Sequence, residues 1–131
     1  MKMILVFILI ATGVLFSCKP KSDIEIRDAM IANVPDSVIS VDDMIIVMTD
    51  IHLAESWAKI NKADTIPSDE RLKIYYAQIF EMHDTEIRKY QSSYYYYSNE
   101  PVLMNYIYQK ITEKLNLLES ENLNITKQNK K

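Results

Sequence analysis

Glycine is almost missing from this chain. Of 131 residues only Gly13 is a glycine, and it lies inside an apolar N-terminal run. Downstream of it there are few inexpensive routes to positive φ, which disfavours tight hairpin turns and glycine-rich phosphate loops alike. Cysteine is as scarce. Cys18 stands alone, so an intramolecular disulfide and a cysteine metal cluster are both excluded. Charge of one sign is also lacking: 15 Lys and Arg face 18 Asp and Glu, which gives no electrostatic reason to expect nucleic acid. No Ser-His-Asp, Cys-His or P-loop pattern is present. Stability must come from packing, and these absences together favour an all-α domain.

What is present begins with an export signal. Met1-Lys2-Met3 is a short cationic start, and residues 4–16 are almost wholly apolar before Ser17 and Cys18. That run is shorter than the ~20 apolar residues a spanning helix needs, and the layout is that of a cleaved secretory signal. Leu15-Phe16-Ser17-Cys18 resembles the lipobox of bacterial lipoproteins, with Phe16 bulkier than the usual residue there. The resemblance implies cleavage before Cys18 and lipidation of its thiol, an anchor that becomes stable with two or more acyl chains. Lys2 leaves with the signal, so 14 basic residues remain against 18 acidic ones, in a mature chain sized for one small domain. Residues 19–23 lack Asp directly after Cys18 and lack an acidic cluster resembling surface-export signals. An outer-membrane lipoprotein facing the periplasm is the expected location.

Residues 18–34 carry mixed charge and weak periodicity, and read as a lipidated tether in which part of 28–33 could make a helical turn. Pro35-Asp36-Ser37 marks the entry to a helical domain over 35–122, followed by a polar, basic tail over 123–131. Four main helices are expected. The first covers about 41–62, capped by Ser40, with Asp42 and Asp43 complementing the dipole. The second covers 69–83 after Ser68 as N-cap, and the third covers 86–97 after Asp84 or Thr85. The fourth starts at Pro101, where a missing N–H costs little, and runs to about 122.

Rotating each helix by 100° per residue places the apolar faces. Tyr75, Tyr76, Ile79 and Phe80 share a face of the second helix; Tyr90, Tyr94 and Tyr97 align on the third; Met104, Ile107, Ile111 and Leu115 form a stripe on the fourth. The first helix differs, because Met44, Val47, Met48 and Ile51 make one face while Ile45, Ile46, Leu53, Trp57 and Ile60 cover much of the rest. A helix apolar over most of its circumference belongs in the centre. The expected architecture is therefore a compact bundle of four helices, the first wrapped by the other three.

Asp50-Ile51-His52-Leu53-Ala54-Glu55 is the segment that could carry chemistry. Glu55 falls inside the apolar face, where an isolated carboxylate is costly. It is expected to accept from a tyrosine hydroxyl of the third helix, such as Tyr97, or to pair with Arg71 or Arg88, so that Asp50, His52, Glu55 and Tyr97 make a buried polar network. Metal or acid–base chemistry by His52 and Glu55, with Asp50 or His83, is the alternative. However, helical di-metal sites use carboxylates from several helices and two Glu-x-x-His pairs. His83, close to a helix end, is expected to cap carbonyls. In the run Tyr94-Tyr95-Tyr96-Tyr97, Tyr95 and Tyr96 project away from the face shared by the other two. They are either ordinary amphipathic residues lying against neighbours or an aromatic patch for a partner.

With these residues placed, the chain resembles a family of small Bacteroidota lipoproteins carrying a helical domain of unknown function. The resemblance covers about 35–118. It rests on Pro35, Val38-Ile39, Met44 through Glu55, Tyr76, Ile79, Phe80, His83, Ser93, Tyr96-Tyr97, Pro101 and the helix over 106–115. The chain departs from the family pattern at His83-Asp84, where glycine is expected after the histidine. The resemblance implies an envelope lipoprotein and no specific activity. The resulting expectation is a non-enzymatic protein without cofactor, held to a membrane through Cys18 and binding a protein or peptide partner. The alternatives are a metal-binding or acid–base site at His52 and Glu55, or a structural role in envelope assembly.

Overall fold

The computed structural model describes residues 22–60 and 66–128, with side chains as far as residue 122. Cys18, its signal and the link over 61–65 lie outside the described residues. Among the described residues the fold is all-helical: α1 (Asp23–Ala32), α2 (Val41–Ile60), α3 (Ser68–Met82), α4 (Ile87–Ser98) and α5 (Pro101–Gln128). None of these helices is long and apolar enough to cross a membrane.

Five helices stand where four were expected, and the extra one occupies the segment read as tether. Its cause is local. Ser22 caps the helix by accepting from the Glu25 N–H at 3.3 Å, while the Glu25 carboxylate accepts from the Ser22 N–H at 3.2 Å. This reciprocal capping box satisfies two donors that a helix start otherwise leaves open. The periodicity is weak because α1 is a surface helix with no fully buried residue. It docks through the Arg27 guanidinium, 4.7 Å from the centroid of the Tyr106 ring on α5, and through Met30 and Ile31, which pack on the core.

The remaining ends fall close to their expected positions. Ser40 caps α2, its Oγ accepting from the Asp43 N–H at 3.1 Å while its hydroxyl donates to the Asp43 carboxylate at 2.7 Å. At α3 the N-cap is Pro67 rather than Ser68, with no side-chain cap bond. At α4 it is Glu86, rather than Asp84 or Thr85. Asp84 instead closes α3. The Thr85 N–H donates to the Phe80 carbonyl at 2.9 Å and the Asp84 N–H to the Glu81 carbonyl at 3.2 Å. That is the Schellman pattern, and it requires the left-handed conformation Asp84 adopts at φ 46°. The departure from glycine noted in the sequence falls on the one described residue with positive φ.

The core lies where α2 meets α5 and α3. Met44, Ile45 and Met48 interleave with Leu103, Ile107 and Ile111 of α5, joined by Tyr97 from α4. A second cluster, Val47, Ile51, Ile79 and Phe80, sits between α2 and α3. Central placement of α2 holds for its first half. From Leu53 onward one face is bare: Trp57 is 57% and Ile60 75% exposed, although Ala58 between them is buried. The reason is that α4 packs on α5 and leaves this flank of α2 uncovered.

Candidate functional site

The four residues expected to share one buried network are held in three separate arrangements. Asp50, at the middle of α2, meets His83 at the C-cap of α3, with Oδ2 and Nε2 2.7 Å apart. The cap is made by the His83 backbone N–H, which donates to the Ile79 carbonyl at 3.1 Å. The imidazole is thus free to cross to α2, and the expectation that it caps carbonyls is corrected.

One turn further along, Glu55 accepts from the Tyr76 hydroxyl at 2.8 Å with Oε1, and its Oε2 lies 3.8 Å from His52 Nδ1. The tyrosine comes from α3 and not from α4, because α3 is the helix packed along this side of α2. Neither arginine considered for Glu55 is its partner here. Arg71 donates to the Ala58 carbonyl at 3.0 Å, near the end of α2, and Arg88 is exposed. The Glu55 side chain retains about a third of its exposure, so water shares in satisfying it.

Phenols surround this carboxylate. Burial, then the Glu55 hydrogen bond, pushes the Tyr76 hydroxyl up to about 12. Burial, then the neighbouring Tyr94, Tyr108 and Glu55, does the same to Tyr90. Tyr108 is raised first by its hydrogen bond with Tyr94 and then by burial, and its ring lies 6.3 Å from that of His52. All of them stay neutral at physiological pH, and the cluster carries the single negative charge of Glu55 whenever that group is ionised. Chemically the arrangement can hold and orient an imidazole. Among the described residues, no three His, Cys, Asp or Glu side chains converge as a metal site.

Tyr97 belongs elsewhere. Fully buried, it donates to the Ile39 carbonyl at 2.6 Å, while the Ile39 N–H donates to Ser93 Oγ at 2.9 Å. Two residues of α4 thus clamp both polar groups of one backbone position just ahead of α2. Burial pushes the Tyr97 hydroxyl up to about 12. Its place in a network with Asp50, His52 and Glu55 is corrected, because Tyr97 is on the last turn of α4, beside the start of α2 rather than its middle.

The aromatic pair also divides. Tyr95 is 73% exposed, whereas Tyr96 is half-buried, packed edge-on against Tyr97 with centroids 5.3 Å apart. A larger apolar surface lies on the other side of the bundle. Leu53, Ala54 and Trp57 of α2 and Tyr75, Ile79 and Met82 of α3 line an open groove of about 520 Å³, with Asp50 and Gln78 at its polar edge. Wheel analysis had assigned Leu53 and Trp57 to contacts inside the bundle. A helix that is apolar beyond what its neighbours can cover was the signal for this groove.

A family model described as Domain of unknown function (DUF4296) matches residues 35–121. The chain belongs to the DUF4296 family. No curated protein and no solved structure matches the chain. The DUF4296 region begins after α1 and takes in α2, α3, α4 and most of α5, so both polar pairs, the Ile39 clamp and the groove belong to it. Cys18, the residue expected to carry lipid, lies outside the described residues.

Proposed function

We propose that this DUF4296 protein is an envelope lipoprotein, anchored through Cys18 in the outer membrane and facing the periplasm. Its helical domain works without catalysis, by binding a protein or peptide segment. The observation that carries this reading is the groove between α2 and α3. Leu53, Trp57 and Met82 stand exposed along it, and an exposed apolar cluster with a polar edge is the usual form of a contact surface. Trp57 supplies the large amphipathic ring that dominates such contacts energetically. The occupant suited to this shape is an amphipathic helix presenting its apolar face.

In-cell photocrosslinking from position 57, compared with position 95, tests the proposal. Position 57 is expected to yield a discrete protein adduct that disappears with Leu53→Asp and survives Tyr95→Ala. Adducts confined to position 95, or insensitive to Leu53→Asp in a correctly folded variant, would transfer the contact to the tyrosine side or remove it.

A further inference from the structure

Four residues of sequence separate Cys18 from Ser22, the N-cap of α1. A fully extended chain spans at most about 3.6 Å per residue, so those two residues are never more than ~14 Å apart. Had residues 18–34 been a free tether, the domain could have stood several times further from its anchor. Instead, α1 is docked on the bundle from Arg27 onward, by the stacking of Arg27 on Tyr106 and the packing of Met30 and Ile31 on the core.

The first turn of α1 differs from the rest of the helix. Ile24 is 61% exposed and Ile26 39%, so two isoleucines stand uncovered where the chain leaves toward Cys18. We infer, resting on the lipidation proposed above, that this turn is a membrane-contact surface whose Ile24 and Ile26 seat in the boundary between headgroups and acyl chains. The occupant is the bilayer that holds the lipid, for a geometric reason. An acylated Cys18 lies at the interface, and a leash of ~14 Å places the first turn of α1 within reach of the same layer, since headgroup and hydrocarbon regions together measure about 40–45 Å. Lys19 and Lys21 give the leash the charge that anionic headgroups attract. Two isoleucines alone would bind weakly. The covalent anchor makes their contact intramolecular, and a high effective concentration keeps a weak contact populated.

The test uses the full-length acylated protein, purified from membranes and reconstituted in vesicles of phosphatidylethanolamine and phosphatidylglycerol containing brominated phosphatidylcholine. Trp57 is the only tryptophan, so Ile24→Trp in a Trp57→Phe background gives one emitter at the surface in question. Strong quenching by the brominated lipid is expected, relieved by a long Gly-Ser insert between Lys21 and Ser22. Acylated protein whose position-24 emission is unquenched, or quenched equally with the insert, would overturn the inference while leaving the anchor intact. Absence of acyl mass on Cys18 would remove the anchor and the inference together. Emission shielded from the lipid and from aqueous iodide alike would assign the turn to a protein partner, which also overturns it.

Discussion

Replacing Asp84 by glycine should make this protein more stable. Asp84 sits at φ 46° in the Schellman turn that ends α3. A residue with a Cβ pays about 1–2 kcal/mol for the left-handed conformation, with Asp near the lower end because it visits that region more readily than most. Its carboxylate also lies at the negative end of the α3 dipole, where an anion costs some ~0.3–1 kcal/mol when exposed. Against these stands the extra freedom glycine gives the unfolded chain, about 0.4–1 kcal/mol. The balance is a gain of about 0.5–1 kcal/mol, equivalent to a rise of about 2–8 °C in Tm for a domain of this size. Asp84→Asn removes the charge while keeping a side chain that tolerates positive φ, and so isolates the electrostatic part. Asp84→Val, β-branched at positive φ, should lose more than 1 kcal/mol, roughly the left-handed cost without relief. Urea unfolding followed by far-UV circular dichroism ranks the series as Gly, Asn, Asp, Val from most to least stable. Equal gains from Gly and Asn would show that charge alone is responsible, and a destabilised Gly variant would refute the backbone argument.

Removing the Tyr97 hydroxyl strands a buried carbonyl. Tyr97→Phe should therefore cost about 1–3 kcal/mol in the same unfolding assay, and Ser93→Ala, which strands the Ile39 N–H, should cost a similar amount. Alkaline stability follows from the phenols. Tyr76, Tyr90 and Tyr97 are raised from 10.0 to about 12 in the fold, so their contribution is fully present below pH 10 and is lost as the pH rises toward about 12. Tyrosinate absorbance at 295 nm should show a fraction of the tyrosines ionising only with unfolding in that interval. His83→Ala should loosen the end of α3 against α2, read as faster amide exchange at 80–83, whereas Tyr95→Ala should leave stability within ~0.5 kcal/mol, as surface substitutions usually do. Leu53→Asp, on an exposed face, should likewise keep the fold while abolishing the crosslink from position 57.

The helical class and most of the core were legible because they follow from periodicity. Met44, Met48, Ile107 and Ile111 were placed inward by spacing alone, and they are buried. Leu103, fully buried, was missed, since the first turn of a helix has no preceding turn to establish its face. α1 was read as tether because docking by one cation–π contact and two half-buried side chains leaves little hydrophobic pattern, although Ser22-x-x-Glu25 was there to be read as a capping box. Glu55 was correctly matched with a tyrosine but on the wrong helix. Partner choice depends on which helix packs beside α2, and spacing within one helix does not carry that information. Trp57 was assigned to the interior for a related reason: hydrophobicity marks a residue that gains from being covered, without saying whether its own chain or another molecule covers it.

The clamp on Ile39 has a mechanical consequence. In a chain pulled by its N-terminal flank, load enters through α1, which has no fully buried residue, and next meets the segment that Tyr97 and Ser93 grip by both backbone polar groups of Ile39. α1 should therefore peel before the bundle yields. Its release pays out the chain from residue 22 to residue 39, roughly 60 Å at full extension. The force-bearing unit then begins at Ile39, and the helix ahead of it serves as a sacrificial extension that can lengthen and refold while the bundle stays intact.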